Sequence, residues 1–164
     1  MRFYKFLKIL LLLGAIGFSL LFIGIILYVF YNERDTSEYS LILAFILITA
    51  GLSSALFQIK TLNVFKNYKN VFPKVHTALW IGNAVYGFLI IAFFSFLFLI
   101  TLEDKEVANA DTPYLIGYYG TLMIPFIFGL WILIDAYKVN NIRKMSKVYN
   151  EMNRIDDISG VKDN

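Results

Sequence analysis

Residues 60–76 read KTLNVFKNYKNVFPKVH, four lysines set among aromatic and branched apolar side chains. A soluble protein uses that mixture to grip nucleic acid, and a membrane protein uses it where a chain meets lipid headgroups. The flanking sequence decides between them. On either side lie stretches without a single Asp, Glu, Lys or Arg: residues 9–32, 39–59, 75–102 and 112–134. Each reaches the roughly 20 residues that cross about 30 Å of hydrocarbon at 1.5 Å per residue. A core helix of that length in a soluble domain would carry a polar stripe, and these carry none. Transmembrane β-strands would read as alternating segments of about ten residues, and nothing alternates here.

The fold class that follows is all-α: an integral membrane four-helix bundle with spans near residues 9–31, 39–59, 77–101 and 113–136. Composition agrees. The chain is 59% hydrophobic and 16% charged, against roughly 45–50% and 25% in soluble domains. Its 164 residues suit one domain. The basic start (Arg2, Lys5, Lys8) has the look of a signal peptide, but the apolar run extends to Phe30 without a small-residue cleavage site. It reads as a retained first span.

Charge divides the connecting segments. The N-terminus, the 60–76 loop and the C-terminal tail hold 13 of the 15 Lys and Arg residues. The connections Asn32–Glu38 and Glu103–Asp111 hold only Arg34 and Lys105, beside seven acids. Short loops rich in Lys and Arg stay on the cytoplasmic side, so both termini and the 60–76 loop are expected inside. The quoted stretch is then a cytoplasmic connection between the second and third spans. Leu62, Phe65, Tyr68 and Phe72 recur at helical spacing, so it can lie in the interface beside anionic headgroups. Known nucleic-acid motifs are absent, and no nucleic acid is expected as a partner. The wealth of Lys, Asn, Ile, Phe and Tyr, with short loops, points to a bacterial inner membrane.

Small and weakly polar residues form a stripe on each span. Gly14, Gly17 and Gly24 mark the first, and Ala44, Gly51, Ser54 and Gln58 the second. Asn83, Ala84 and Gly87 mark the third, and Gly117, Thr121, Pro125 and Gly129 the fourth. Helices in lipid associate through such surfaces, because close backbone approach replaces the missing hydrophobic drive. Internal packing is the expectation, with an oligomer interface as the alternative. Pro125 is expected to kink the fourth helix. Thr36 and Ser37 suit a cap on the second span, and Thr112 precedes Pro113, a residue fitted to a first helical turn. Beyond Asp135 the pattern continues as an amphipathic cytoplasmic helix over residues 137–155, built on Val139, Ile142, Met145, Val148, Tyr149, Met152 and Ile155 and suited either to the membrane interface or to a partner, before a loose tail at 156–164.

Chemistry is scarce. With no cysteine, thiol redox chemistry, disulfides and Cys-ligated metals are excluded. The single His76 cannot build a metal site within one chain. No nucleophile–base pair, phosphate loop or dinucleotide fingerprint is present, so no catalytic residue, cofactor or metal is expected and the protein reads as non-enzymatic. The polar positions worth weighing are Gln58, Asn83 and Asp135. The first two suit interhelical hydrogen bonds. Asp135, at the cytoplasmic end of the fourth span, is expected to pair with Lys138 or a lysine of the 60–76 loop, and the span interiors otherwise hold no ionisable group. The aromatic run FFSFLFLI at 93–100 reads as lipid-facing bulk.

Three functions fit this reading. The favoured one is an accessory, regulatory or immunity-type subunit that works through a membrane protein partner. A homo-oligomeric pore would draw on Thr49, Ser53, Gln58 and Asn83 for its lining. A small-solute transporter coupled to protons would need an ionisable residue at depth.

Overall fold

The computed structural model describes residues 2–32, 38–64, 72–103 and 112–159. They form four helices: α1 (Arg2–Asn32), α2 (Glu38–Thr61), α3 (Thr77–Glu103) and α4 (Thr112–Ser159). Three contain stretches long and apolar enough to cross a membrane: Phe3–Gly24, Thr77–Leu102 and Thr112–Ile155. The apolar stretch described in α2, Phe45–Thr61, is shorter. Thr36, Ser37, Phe65, Tyr68 and the acidic loops lie outside the described residues, as does the end of the tail.

Consecutive helices run antiparallel and pack side by side. The start of α1 meets the end of α2, where Lys8 reaches Thr61, and α2 descends past α3 from Ser54 on Asn83 to Phe57 on Trp80. Phe98 meets Tyr119 near the far end of α3 and α4. Contacts between α1 and α4 are sparser than those between any consecutive pair. The bundle is therefore closed on three seams and loose on the fourth.

The centre is apolar. Leu11, Ala15 and Phe22 of α1 meet Leu47 and Ala50 of α2, Tyr86 and Ile90 of α3, and Ile132 of α4. The outside is apolar as well: Leu20, Phe45, Phe88 and Ile116 are each more than 60% exposed. A soluble domain would bury such side chains or scatter them, whereas lipid solvates them at no cost. The 93–100 run divides between the two environments. Phe96, Leu99 and Ile100 face outward, but Phe93 and Phe94 turn in to stack edge-on against Phe22 and Phe18. The lipid-facing reading of that run is thus corrected for these two half-buried rings, which pack against the core.

Glycines set the closest approaches. A Cβ on Gly129 would meet the Gly87 carbonyl oxygen at 2.9 Å, so α3 and α4 touch backbone to backbone there. Gly14 accommodates the Phe128 ring, Gly51 the Ser19 side chain and Gly82 that of Ser53. Gly17, Gly24 and Gly117 differ: a Cβ on any of them would meet nothing within 4 Å. Among the described residues they pack against no neighbour, and all three are exposed on their helices.

Two helix ends explain isolated residues. His76 caps α3, its Nδ1 accepting the Ala78 N–H at 3.2 Å, which settles one of the free donors of the first turn. Helix α4 opens with Thr112 and Pro113, then continues through Pro125 and Asp135 to Ser159 as one element of 48 residues. Span and amphipathic segment are thus a single helix.

Candidate functional site

The residues that could carry chemistry converge at the end of the bundle where α1 begins. Lys8 lies on the stripe that also holds Leu11, Ala15, Ser19 and Phe22, spaced by three and four residues, so it points inward with the core. Its ammonium donates to three acceptors: Asp135 Oδ2 of α4 at 2.8 Å, Thr61 Oγ1 of α2 at 2.8 Å and Gln58 Oε1 of α2 at 3.1 Å. Three N–H groups thus find three oxygens. The side chain is 1% exposed and that of Asp135 7%. The Phe57 ring lies 5.6 Å from the ammonium and shields it further.

Helix α3 joins through amides. With Gln58 Oε1 committed to Lys8, its Nε2 is left to donate, and it points to Asn83 Oδ1 at 3.4 Å. Ser54 Oγ donates to the same oxygen at 2.8 Å. These bonds set the orientation of both amides. They leave Asn83 Nδ2 buried with no acceptor among the described residues, and Trp80 Nε1, one turn earlier on α3, likewise. Thr61 completes the chain by donating to the Phe57 carbonyl at 2.7 Å. All four helices thus contribute to one connected network.

A second polar group lies deeper. Tyr86 is fully buried, and its hydroxyl donates to the Ala15 carbonyl at 3.0 Å. Ser19 Oγ donates to that same carbonyl at 2.7 Å and sits 3.3 Å from the Tyr86 hydroxyl. Between this pair and the Lys8 network stand Leu11 and Ile132, so the two groups are separated by apolar packing.

Of the positions singled out by sequence, Gln58, Asn83, Asp135 and Ser54 meet in the network. Asp135 takes a different partner from the one expected. It pairs with Lys8, because its place one turn past Ile132 faces it into the bundle. Lys138 instead leans outward over the Tyr4 ring, 5.3 Å from its centre. Lys8 and Asp135 are thus an ion pair buried between the helices. Lys8 and Thr61 were legible as partners only through helical spacing: Lys8 continues the Leu11–Ala15 stripe, and Thr61 follows Ser54 and Gln58 by seven and three residues.

Chemically the site is closed. The ion pair is neutral as a unit and nearly withdrawn from solvent, its ammonium has three acceptors, and among the described residues no three His, Cys, Asp or Glu side chains lie close enough to hold a metal. What it can do is fix the mutual rotation of four helices, since breaking any arm leaves a buried charge or amide unpaired. Compared with known protein families, characterised proteins and solved structures, the chain matches none.

Proposed function

We propose that this protein is a non-catalytic accessory or regulatory subunit, a multi-pass protein of the bacterial inner membrane with four spans and both termini cytoplasmic, which engages a protein partner through the projecting end of α4. The observation that carries this reading is an apolar stripe beyond the bundle: Met145, Val148, Met152 and Ile155 are 64%, 50%, 58% and 63% exposed. They recur at three- and four-residue steps along one face. Lys144, Glu151 and Arg154 flank them with both signs of charge.

Length argues for a partner over the membrane surface. A helix of 48 residues rises about 72 Å, more than twice a hydrocarbon core of roughly 30 Å. Burial on the chain's own helices ends near Ser146. An interfacial helix would need a break to turn into the membrane plane, and α4 runs on unbroken. An amphipathic helix that stands free of lipid covers its apolar face with another protein.

Orientation and span number rest on the charge distribution and on the antiparallel packing, which sets the 60–76 connection, the N-terminus and the α4 extension at one end. The pore reading has less support: the centre of a single bundle is filled by Leu11, Ala15, Tyr86, Ile90 and Ile132. The reading is tested by co-purification from native membranes with the stripe intact and with Val148→Asp/Met152→Asp. A stoichiometric partner that disappears only from the variant supports it; a partner retained at equal yield rejects it.

A further inference from the structure

The loose seam between α1 and α4 is a furrow. One part, of about 330 Å³, is lined by Leu7, Ile127 and Trp131 and ends at Tyr4, Asp135 and Lys138. A second, of about 370 Å³, shares Leu7, Ile127 and Trp131 and runs on along Leu10 and Leu13. The two therefore adjoin at these three side chains. Along α1 they extend from Phe3 to Leu13, a rise of about 15 Å, which is half of a hydrocarbon core roughly 30 Å thick. The furrow thus runs inward from the end of the bundle where α1 begins.

Its mouth is polar and its charge is defined. Asp135 lines it, but its carboxylate is matched by the Lys8 ammonium at 2.8 Å. Lys138 is exposed there, and the hydroxyl of Tyr4, an uncharged group, lies 3.5 Å from its Nζ. Among the described lining residues the mouth therefore presents one net positive charge, with an apolar trough below it. An exposed cation above an apolar trough matches the two parts of an anionic phospholipid, a phosphate over a hydrocarbon chain.

We propose that the α1–α4 furrow binds one anionic phospholipid, with an acyl chain lying along Leu7, Leu10, Ile127 and Trp131 and the phosphate held at Lys138. This lipid would close the seam that protein contacts leave open. The site is independent of the α4 stripe.

The test uses the full chain, purified in mild detergent and exchanged into mixed micelles with equal phosphatidylglycerol and phosphatidylcholine, with bound lipid counted by native mass spectrometry. The wild type is expected to retain one phosphatidylglycerol per chain, at about fivefold preference, as one lysine near the surface provides. Lys138→Glu should abolish that preference while one lipid of either kind still binds. Ile127→Trp, which fills the point shared by both parts, should lower occupancy by either lipid about tenfold or more. No retained lipid in the wild type, or an unchanged preference in Lys138→Glu, would overturn the proposal. So would a photo-crosslinker at Leu10 that captures a protein in place of lipid.

Discussion

The Lys8 ammonium sits 2.8 Å from the Asp135 carboxylate, across 127 residues of sequence and with both side chains nearly withdrawn from solvent. A pair so placed ties the first helix to the last, on the seam where few other contacts do so. Removing one partner strands the other charge, at a cost of about 3–5 kcal/mol, whereas replacing both by apolar groups of similar volume is often neutral or better. Lys8→Met and Asp135→Leu are each expected to lower the unfolding temperature in detergent markedly. The double variant should stand above either single one. If the singles matched the wild type, the pair would not be holding the bundle.

Asn83 and Tyr86 are both buried hydrogen-bonding residues of α3, yet they should respond differently to truncation. Asn83 Oδ1 accepts from Ser54 and Gln58, so Asn83→Ala orphans two buried donors and is expected to cost about 1–3 kcal/mol for each left unpaired. The carbonyl that Tyr86 serves keeps its bond from Ser19. Tyr86→Phe should therefore cost only about 0.6–1 kcal/mol. Unfolding by denaturant in detergent gives both values, and the reverse order would mean that the amide chain is not formed.

The glycines separate in the same way. A methyl group on Gly129 meets the branched Ile91 side chain and the Gly87 carbonyl oxygen, and the latter cannot withdraw without moving a helix. Gly129→Ala is expected to destabilise by about 1–3 kcal/mol. Gly117→Ala meets nothing among the described residues and should be neutral or stabilising by up to about 1 kcal/mol through helix propensity. Equal effects at both sites would contradict the α3–α4 contact.

Orientation is open to a direct check. Reporter fusions after Phe30 and Leu102 should report an external location, and fusions after Val71 and Ser159 a cytoplasmic one. A reversal at all four would invert the protein, and a reversal at one pair would change the number of spans.

The long apolar helices of the fold were legible because lipid-solvated helices need no polar stripe, so charge-free runs such as 75–102 stand out without any knowledge of packing. The buried network was legible in part. Ser54, Gln58 and Asn83 are conspicuous as polar residues inside apolar runs, but Lys8 sits one residue outside such a run, where its charge counts toward orientation. Only its register with Leu11 and Ala15 shows that it points inward. Gly17 and Gly24 share their helix with Gly14, yet among the described residues only Gly14 meets a neighbour. Glycine has no side chain whose polarity would tell an inward face from an outward one, and that information resides in the opposing helix. Phe93 and Phe94 pose the same difficulty, since core and lipid are equally apolar and hydropathy cannot distinguish them.

The central claim is that the exposed face of the α4 extension docks a partner. Its most direct test is the mass of the complex extracted in mild detergent from the native membrane, for the wild type and for Val148→Asp/Met152→Asp. The account predicts that a second protein accompanies the wild-type chain in fixed stoichiometry. It also predicts that the variant, with unchanged membrane abundance and unfolding temperature, is recovered without it. A discrete homo-oligomer free of any second protein, identical in mass for both chains, would contradict the account and shift attention to a pore formed between bundles.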